Sequence, residues 1–395
     1  MKQIKLYITI VFFFCVYSVN AQEKQPLTEQ QAIDLALKKS VELNNAKLNI
    51  QRQNANIKGA FQLEPLELEY RKIKVNPTTK VQEITASQNF GSILGHIRRR
   101  DLAESQVELA TANAKISEKQ IIKQVRSLYQ QWHYLYALKT LLEEQQSNVN
   151  KIKSITEKIY KAGEIGGLEN DITALKSLSI QTQRSAIYKS FSEVENQLKA
   201  LLQLQKPIQP QDEFPRPLMF EFSDESSSIF TDAIAKSNQV ASRGVSLAKS
   251  VYFPQISAGI INRKASNIRG FMGFVVGLQI PLPLGNNKAN IEKQRILQEE
   301  MAFSNQAKQI EIDNTKANLS EQLKVLKSEI DTINKTFDKA KKFVKKLSIA
   351  YKAGEIGAYK YNQSFDAYFE VMQNYLALIN TYNQTVIAYE FYIEE

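Results

Sequence analysis

The sequence predicts a mainly α-helical protein with a small β part, in which one helix–strand–strand–long helix–helix unit occurs twice. Three observations predict this fold class: a seven-residue sequence that recurs far along the chain, two very long segments without proline or glycine, and four short segments with strand-like composition. Self-similarity at a fixed spacing indicates a repeated architecture before any single element is assigned.

The repeat is defined by the sequence Tyr-Lys-Ala-Gly-Glu-Ile-Gly, which occupies residues 160–166 and recurs at 351–357, a spacing of 191 residues. Seven identical residues at this spacing are hard to ascribe to chance. We predict a first repeat over residues 22–204, with strands at about 60–73 and 81–90 and a turn at 160–167, and a second repeat over residues 223–395, with strands at about 252–263 and 270–282 and a turn at 351–358.

The N-terminal residues 1–21 have the composition of a secretory signal peptide. Two lysines precede an apolar run, and Ala21 ends it with the small residue that signal peptidase prefers. The only cysteine, Cys15, lies inside this run, so the predicted mature chain has neither a disulfide nor a thiolate metal site. Residues 205–222 are rich in proline and are predicted to link the two repeats.

The two segments 96–159 and 287–350 contain no proline and no glycine. As continuous helices of 64 residues they would each extend roughly 95 Å at 1.5 Å per residue. Apolar residues alternate at steps of three and four, a 3.5-residue period that predicts packing of helix on helix. These predicted core positions are 121, 125, 128, 132 and 135, then 319, 323, 326, 330, 333, 337, 340, 344, 347 and 351, then 361, 365, 368, 372, 375, 379, 382, 386 and 389.

The four predicted strands have lengths that suit tilted membrane strands, which need about 9–11 residues. No other segment of the chain approaches the 18 or more apolar residues of a membrane helix. Four strands are too few for the smallest closed membrane barrels, which have about eight, and unpaired strand edges are unfavourable in lipid. The sequence therefore predicts that several chains share one barrel; three chains would supply twelve strands.

Four segments resemble the TolC family of outer-membrane efflux proteins: the opening at residues 27–36, the strand end at residues 278–285 and the two glycine turns. The resemblance extends over essentially the whole mature chain. Within the family, the turn sequence and the closing residues 382–386 are most similar to the outer-membrane components of heavy-metal (copper/silver and cobalt–zinc–cadmium) resistance-nodulation-division systems.

The resemblance implies a homotrimer with a twelve-stranded outer-membrane β-barrel, in contact with outer-membrane lipid, and an α-helical tunnel across the periplasm. It implies a passive exit duct whose partners are a periplasmic adaptor protein and an inner-membrane pump. Each turn would be a docking tip that presents one acid and one exposed isoleucine; the eight tip residues are Gly163, Glu164, Ile165, Gly166, Gly354, Glu355, Ile356 and Gly357. Glycine fits such a reversal because it adopts positive φ readily.

The helices just beyond the turns depart from the family pattern. Many members carry aspartates there that form an acidic ring, whereas this chain has Glu169 after the first turn and Lys360 and Gln363 after the second, with Asp366 further along. These four residues are the candidate periplasmic gate. We expect Glu169 and Lys360 to be able to form a salt-bridged latch in place of the acidic ring.

Other chemistry is not indicated by the sequence. The two histidines, His96 and His133, are 37 residues apart, so no metal site and no cofactor are predicted. No phosphate-binding loop, nucleophile elbow or catalytic triad is present, and we expect no enzymatic activity. The charges alternate in sign along the predicted helices, which argues against a nucleic-acid partner despite a net charge of +10. Two alternatives stay open: a multidrug or type I secretion duct, and a secreted trimeric coiled-coil adhesin or scaffold.

Overall fold

The computed structural model describes residues 25–75, 77, 79–222, 229–266, 268–282 and 285–393, with the side chains of residues 169, 268, 269, 352 and 358 excepted. The predicted signal peptide, residues 1–21, lies outside the described residues, and so do the first residues of both predicted repeats.

The described residues form seven α-helices and six strands. In chain order these are β1 (Gln25–Leu27), α1 (Glu29–Lys39), α2 (Val41–Lys58), β2 (Glu67–Lys74), β3 (Lys80–Gly91), α3 (Ile93–Lys161), α4 (Gly167–Leu202), β4 (Ile208–Pro210), α5 (Ile229–Lys249), β5 (Gln255–Ala265), β6 (Ile268–Gln279), α6 (Asn286–Lys352) and α7 (Ala358–Glu390). The predicted mainly helical fold with a small strand part is confirmed.

Two very long helices organise the molecule. α3 has 69 residues and α6 has 67, so each extends roughly 100 Å. Shorter helices pack along them: α2 and α4 lie against α3, while α5 and α7 contact both α3 and α6. Each long helix follows a strand in the chain, β3 before α3 and β6 before α6, and ends at one of the glycine turns. No helix in the described part of the chain is both long and apolar enough to cross a membrane.

The predicted 3.5-residue stripes are the core. All ten predicted positions of α6 belong to one apolar cluster, and all nine predicted positions of α7 are buried in the same cluster. The five predicted positions of α3 belong to a second cluster, formed with α1, α4 and β4. The stripes are thus explained by burial between helices, and burial of each large apolar side chain contributes about 1.5–3 kcal/mol.

The sheet has the strand order β2-β3-β5-β6 and is antiparallel throughout. Three strand ends differ from the predicted ones by three residues or more. β2 begins at Glu67 rather than at residue 60, β5 begins at Gln255 rather than 252, and β6 ends at Gln279 rather than 282. Pro65, Pro254 and Pro281 lie just outside these ends, and proline cannot donate a hydrogen bond to a neighbouring strand. β5 continues to Ala265, two residues past its predicted end, and β6 begins at Ile268, two residues before its predicted start.

The two faces of this sheet differ in polarity. Residues paired across antiparallel strands share a face, and one face carries Leu68, Tyr70, Ile84, Ile260, Met272, Phe274, Val276 and Leu278, all exposed. On the opposite face the Glu83 carboxylate is buried between the guanidinium groups of Arg71 and Arg263. Exposed apolar side chains over most of a sheet face indicate a surface that is covered by lipid or protein.

The linker between the repeats is packed rather than loose. β4 pairs in parallel with β1, a two-stranded sheet that the sequence did not predict. Further along, the Leu218 N–H donates to Asn383 Oδ1 at 2.9 Å, and Asn383 Nδ2 donates to the carbonyl oxygen of Arg216 at 2.9 Å. Asn383 is fully buried in α7, so these bonds fasten the linker to the helical core.

Candidate functional site

The two glycine turns have the same backbone geometry. Gly163 has φ +77° and Gly354 has φ +75°, the left-handed region that glycine adopts without strain. In the first turn the Gly163 N–H donates to the Tyr160 carbonyl at 2.9 Å, and the Glu164 N–H donates to the Ile159 carbonyl at 3.1 Å. The second turn forms the same two bonds. This pair of bonds is a Schellman motif, which satisfies the last carbonyl groups of each long helix.

The outgoing helices begin alike as well. Gly166 precedes α4 with φ −77° and ψ 160°, and Gly357 precedes α7 with φ −75° and ψ 164°. Neither glycine has a side chain, so neither helix has a side-chain hydrogen bond from its N-cap residue to its first amide groups.

The tip side chains are only partly as predicted. Glu164 and Glu355 are exposed, as expected, but Ile165 and Ile356 are half-buried. Ile356 packs against the main apolar core, and Ile165 lines a cavity next to the second turn. The isoleucines turn inward because burial of an aliphatic side chain is favourable and each has a helix face within reach. The expectation of a fully exposed isoleucine at each apex was wrong.

A cavity of about 380 Å³ lies between the two turns. Its wall includes Ile165 from the first turn and Gly357 from the second, and Thr173, Lys176 and Gln363 from the helices that follow. The cavity therefore joins elements of both repeats. Two of the predicted gate residues, Gln363 and Asp366, line it.

Asp366 contacts both helices of the first hairpin. Its Oδ2 lies 3.0 Å from Lys176 Nζ in α4, and its Oδ1 accepts a hydrogen bond from Gln145 Nε2 in α3 at 3.3 Å. One carboxylate thus connects α7 to both helices of the first hairpin. Asp366 was predicted from the sequence, whereas Lys176, which lies 13 residues past Gly163, carries no local signal of the pairing.

The other two gate residues are less informative. Lys360 is exposed on the first turn of α7. Glu169 lies in the first turn of α4, and its side chain is not among those described. The predicted latch between Glu169 and Lys360 stays a prediction, and the salt bridge that the structure does contain, Lys176 to Asp366, lies further from the turns.

The histidines have structural contacts far from the turns. His96 Nε2 lies 2.7 Å from the Phe90 carbonyl oxygen, where the sheet joins α3. His133 Nε2 donates to the Asp212 carbonyl at 2.8 Å in the linker, and burial lowers the pKa of this imidazole. Within the described residues, no three His, Cys, Asp or Glu side chains lie close enough to hold a metal ion.

Comparison with known proteins gives a clear result only for structures, since no family model and no curated protein matches the chain. The chain aligns with CusC, a protein studied for transmembrane channel formation, at a TM-score of 0.71 over 92% of this chain and 91% of CusC, with 17% identity. It aligns with the outer membrane protein VceC of Vibrio cholerae at 0.71, over 91% and 94%, with 13% identity. The CmeC outer membrane channel of Campylobacter jejuni gives 0.70 over 92% and 85%, with 12% identity.

The chain has the fold of the TolC-type outer-membrane channels. The resemblance deduced from short motifs is thereby confirmed for the fold as a whole. At these identities the channel fold is shared while most side chains are not, so the role of each residue at the turns has to be judged from its contacts in this chain.

Proposed function

We propose that this chain is one subunit of a homotrimeric channel in the Gram-negative outer membrane that extends into the periplasm. In this proposal it is the passive exit duct of a tripartite efflux system and catalyses no reaction. The observation that carries the proposal is the two-faced sheet at one end of helices roughly 100 Å long, with two matching turns at the other end. This length spans far more than one bilayer.

The sheet supports a shared barrel. Its outer strands, β2 and β6, have no neighbour on one side within the described chain. Unpaired strand edges are unfavourable in lipid, and pairing β2 of one chain with β6 of the next would satisfy them. Three chains would contribute twelve strands, with the apolar face towards lipid and the Glu83 face towards the lumen.

Fractionation tests location and assembly together. We expect the protein in the outer-membrane fraction as a trimer that dissociates on heating. Recovery in a soluble or surface-washed fraction, without such a trimer, would favour the alternative of a secreted coiled-coil adhesin or scaffold. That alternative leaves the apolar sheet face, with Phe274 85% exposed, without a covering partner.

Docking of a periplasmic adaptor at the turns is supported by their shared backbone and by the exposed acids Glu164 and Glu355. The predicted mature chain contains no cysteine, so a single introduced cysteine gives a specific cross-linking probe. We expect Glu164→Cys and Glu355→Cys to cross-link the adaptor in cells. Lys335→Cys, exposed on α6 away from the turns, is the control and should not; equal cross-linking at all three positions would contradict tip docking.

The gate is proposed to include the Lys176–Asp366 bridge, because it joins α4 to α7 beside the cavity between the turns. Both side chains are about 40% exposed, so the pair contributes at most about 1 kcal/mol. A weak bridge is suited to a contact that has to open. We expect Asp366→Asn to raise the conductance of the reconstituted trimer, and the charge-swapped double variant Lys176→Asp with Asp366→Lys to restore it. Unchanged conductance in Asp366→Asn would exclude this gate.

Heavy-metal cations are the proposed substrate, driven by an inner-membrane pump of the resistance-nodulation-division class. The support is the similarity of the turn and closing sequences to heavy-metal systems. A passive duct needs only a wide polar lumen, so the lack of a metal-ligand cluster among the described residues does not bear on the choice. Deletion of the gene should lower tolerance to copper, zinc or cobalt. Unchanged metal tolerance with lowered antibiotic tolerance would favour multidrug efflux, and loss of a secreted protein would favour type I secretion.

A further inference from the structure

The sheet separates its positive charges by type and by face. Arg71 and Arg263 lie on the polar face, where each contacts a glutamate: Arg71 bonds Glu69 at 2.8 Å, and Arg263 contacts Glu83. The lysines lie on the opposite face. By strand register, Lys72, Lys80 and Lys264 share the apolar face with Lys74, and all four are exposed.

The four lysines form one patch at the hairpin end of the sheet. Lys74 pairs directly with Lys80, while Lys72 and Lys264 both pair with Gln82 on the strand between them. With strands about 4.8 Å apart and residues about 3.4 Å apart along a strand, the patch measures roughly 10 Å by 7 Å. In the described strands the lysine face carries no acidic residue, since Glu67, Glu69 and Glu83 all fall on the other face.

The patch begins where the apolar surface ends. Tyr70 and Ile84 form the last apolar pair, and Lys72 follows two residues later, about 7 Å further along the strand. Aromatic residues followed by basic ones are typical of the boundary between the hydrocarbon and the headgroup layers, because a lysine can keep its stem in the apolar layer and its ammonium group outside. The turn residues 75–79 and 265–269 contain no acid that could neutralise the patch.

Two lysines in direct register are unfavourable in an isolated sheet, since like charges that face each other across strands repel. An anionic partner would remove this repulsion. The partner must lie beside lipid, must be anionic and must fit several ammonium groups within about 10 Å. A glycolipid with phosphate groups on its sugar headgroup meets all three requirements.

We propose that Lys72, Lys74, Lys80 and Lys264 form a binding site for the phosphate groups of a phosphorylated glycolipid in the membrane leaflet at the hairpin end of the sheet. The inference rests on the proposed function, because it needs the apolar sheet face to be in lipid. The site fixes the height of the channel in the membrane, with the apolar face in the hydrocarbon and the lysines at the headgroups.

The test uses the purified full-length trimer in a neutral detergent. Native mass spectrometry counts the molecules of diphosphorylated lipid A that the trimer retains, with fully dephosphorylated lipid A as the matched probe. The site variant carries Lys72→Gln, Lys74→Gln, Lys80→Gln and Lys264→Gln. The control variant removes the same charge from exposed positions on α6: Lys335→Gln, Lys339→Gln, Lys342→Gln and Lys346→Gln.

We expect the wild type and the α6 control to bind diphosphorylated lipid A at least about tenfold more tightly than the site variant, since each lysine near an anionic surface contributes roughly a factor of five. Binding of dephosphorylated lipid A should be the same in all three proteins. A variant with arginine at all four positions should keep the preference, because it keeps the four positive charges. Unchanged binding of dephosphorylated lipid A by the glutamine variant shows that this variant is not misfolded.

Equal retention of the phosphorylated lipid by the wild type and the site variant would overturn the inference while leaving the channel proposal intact. Failure of the channel proposal has a different signature, because a protein whose sheet never contacts lipid would retain neither probe.

Discussion

The helices that follow the two turns, α4 and α7, start from the same backbone geometry but are packed very differently. In α7 all nine predicted core positions are buried against its own chain. In the first part of α4, Leu168, Leu175 and Leu178 are 75%, 67% and 59% exposed. The second hairpin is therefore completed within the chain, whereas the first leaves an apolar face exposed on the surface of the single chain. The two copies of the repeated sequence therefore share the geometry of their turns but differ in how the helix after the turn is packed.

Substitution of the turn glycines tests the part that the two hairpins share, and we expect the largest effect there. Proline at Gly163 or at Gly354 cannot adopt a φ near +75° and removes a hydrogen-bond donor from the turn. We expect export to be abolished equally by either substitution, measured as substrate accumulation in cells, while the trimer stays in the membrane.

The matched control for these variants is Gly166→Ala, at a position with an ordinary φ of −77° and free space around it. It should transport normally. Loss of the trimer in either proline variant would show that the turns contribute to assembly, and loss of export in only one would show that the turns have different functions.

Substitution of the exposed leucines of α4 is expected to have the next largest effect, which is on trimer assembly. Replacing Leu168, Leu175 and Leu178 together with glutamine should prevent stable trimers, because apolar side chains that a neighbouring chain would cover are then polar. The measurement is the trimer fraction after mild detergent extraction. Gln181→Ala with Gln183→Ala, at exposed positions of the same helix, should leave assembly unchanged. A normal trimer in the triple variant would mean that this face is not an interface.

Substitution in the buried face of α7 should reduce the stability of the fold rather than the assembly of trimers. Leu376 is fully buried, so Leu376→Ala leaves a cavity and should lower the free energy of unfolding by about 2–5 kcal/mol. Urea unfolding followed by circular dichroism measures this loss. If the contrast between α4 and α7 is correct, Leu376→Ala lowers the stability of the fold, but trimers still form at low denaturant concentration. Loss of trimers without a loss of folding stability would refute this contrast.

The smallest expected effect concerns the linker that leaves α4. Burial lowers the pKa of His133 below its usual value of about 6.5, so the folded state favours the neutral imidazole that donates to Asp212. This stabilisation is fully present above the unfolded pKa and is lost as the pH falls below it. We expect the wild type to lose stability between pH 7 and pH 5. His133→Gln, which can still donate to the carbonyl, should show a smaller loss; identical pH profiles would argue against a role for His133.

The feature that the sequence predicted best is the set of helix positions that are buried against other helices of the same chain. The 3.5-residue stripes of α6 and α7 identified the core position by position, because burial between paired helices leaves a regular pattern. Strand ends were less accurate, since Pro65 and Pro281 ended pairing inside segments whose composition still looked strand-like. β1 and β4 have three residues each, too few for a periodic signal.

Only the local features of the candidate site could be predicted from the sequence. The glycine turns are local features, and their positions could be deduced from sequence alone. The Lys176–Asp366 bridge joins residues 190 positions apart, from different repeats, and neither residue carries a mark of its partner. Whether Ile165 and Ile356 face outward depends on which helix surface lies nearby, and only the packed structure supplies this information.

The open edges of the sheet have a consequence for biosynthesis. A single chain that has finished folding its helices still has one unpaired edge on each outer strand of its described sheet, β2 and β6, and an apolar surface, so it is prone to aggregate in water. If the chain assembles as proposed, its lifetime as a monomer must be short or protected by a chaperone, and formation of the ring depends on encounters between chains rather than on folding alone. The amount of functional channel should therefore rise more steeply than in proportion to the rate of synthesis.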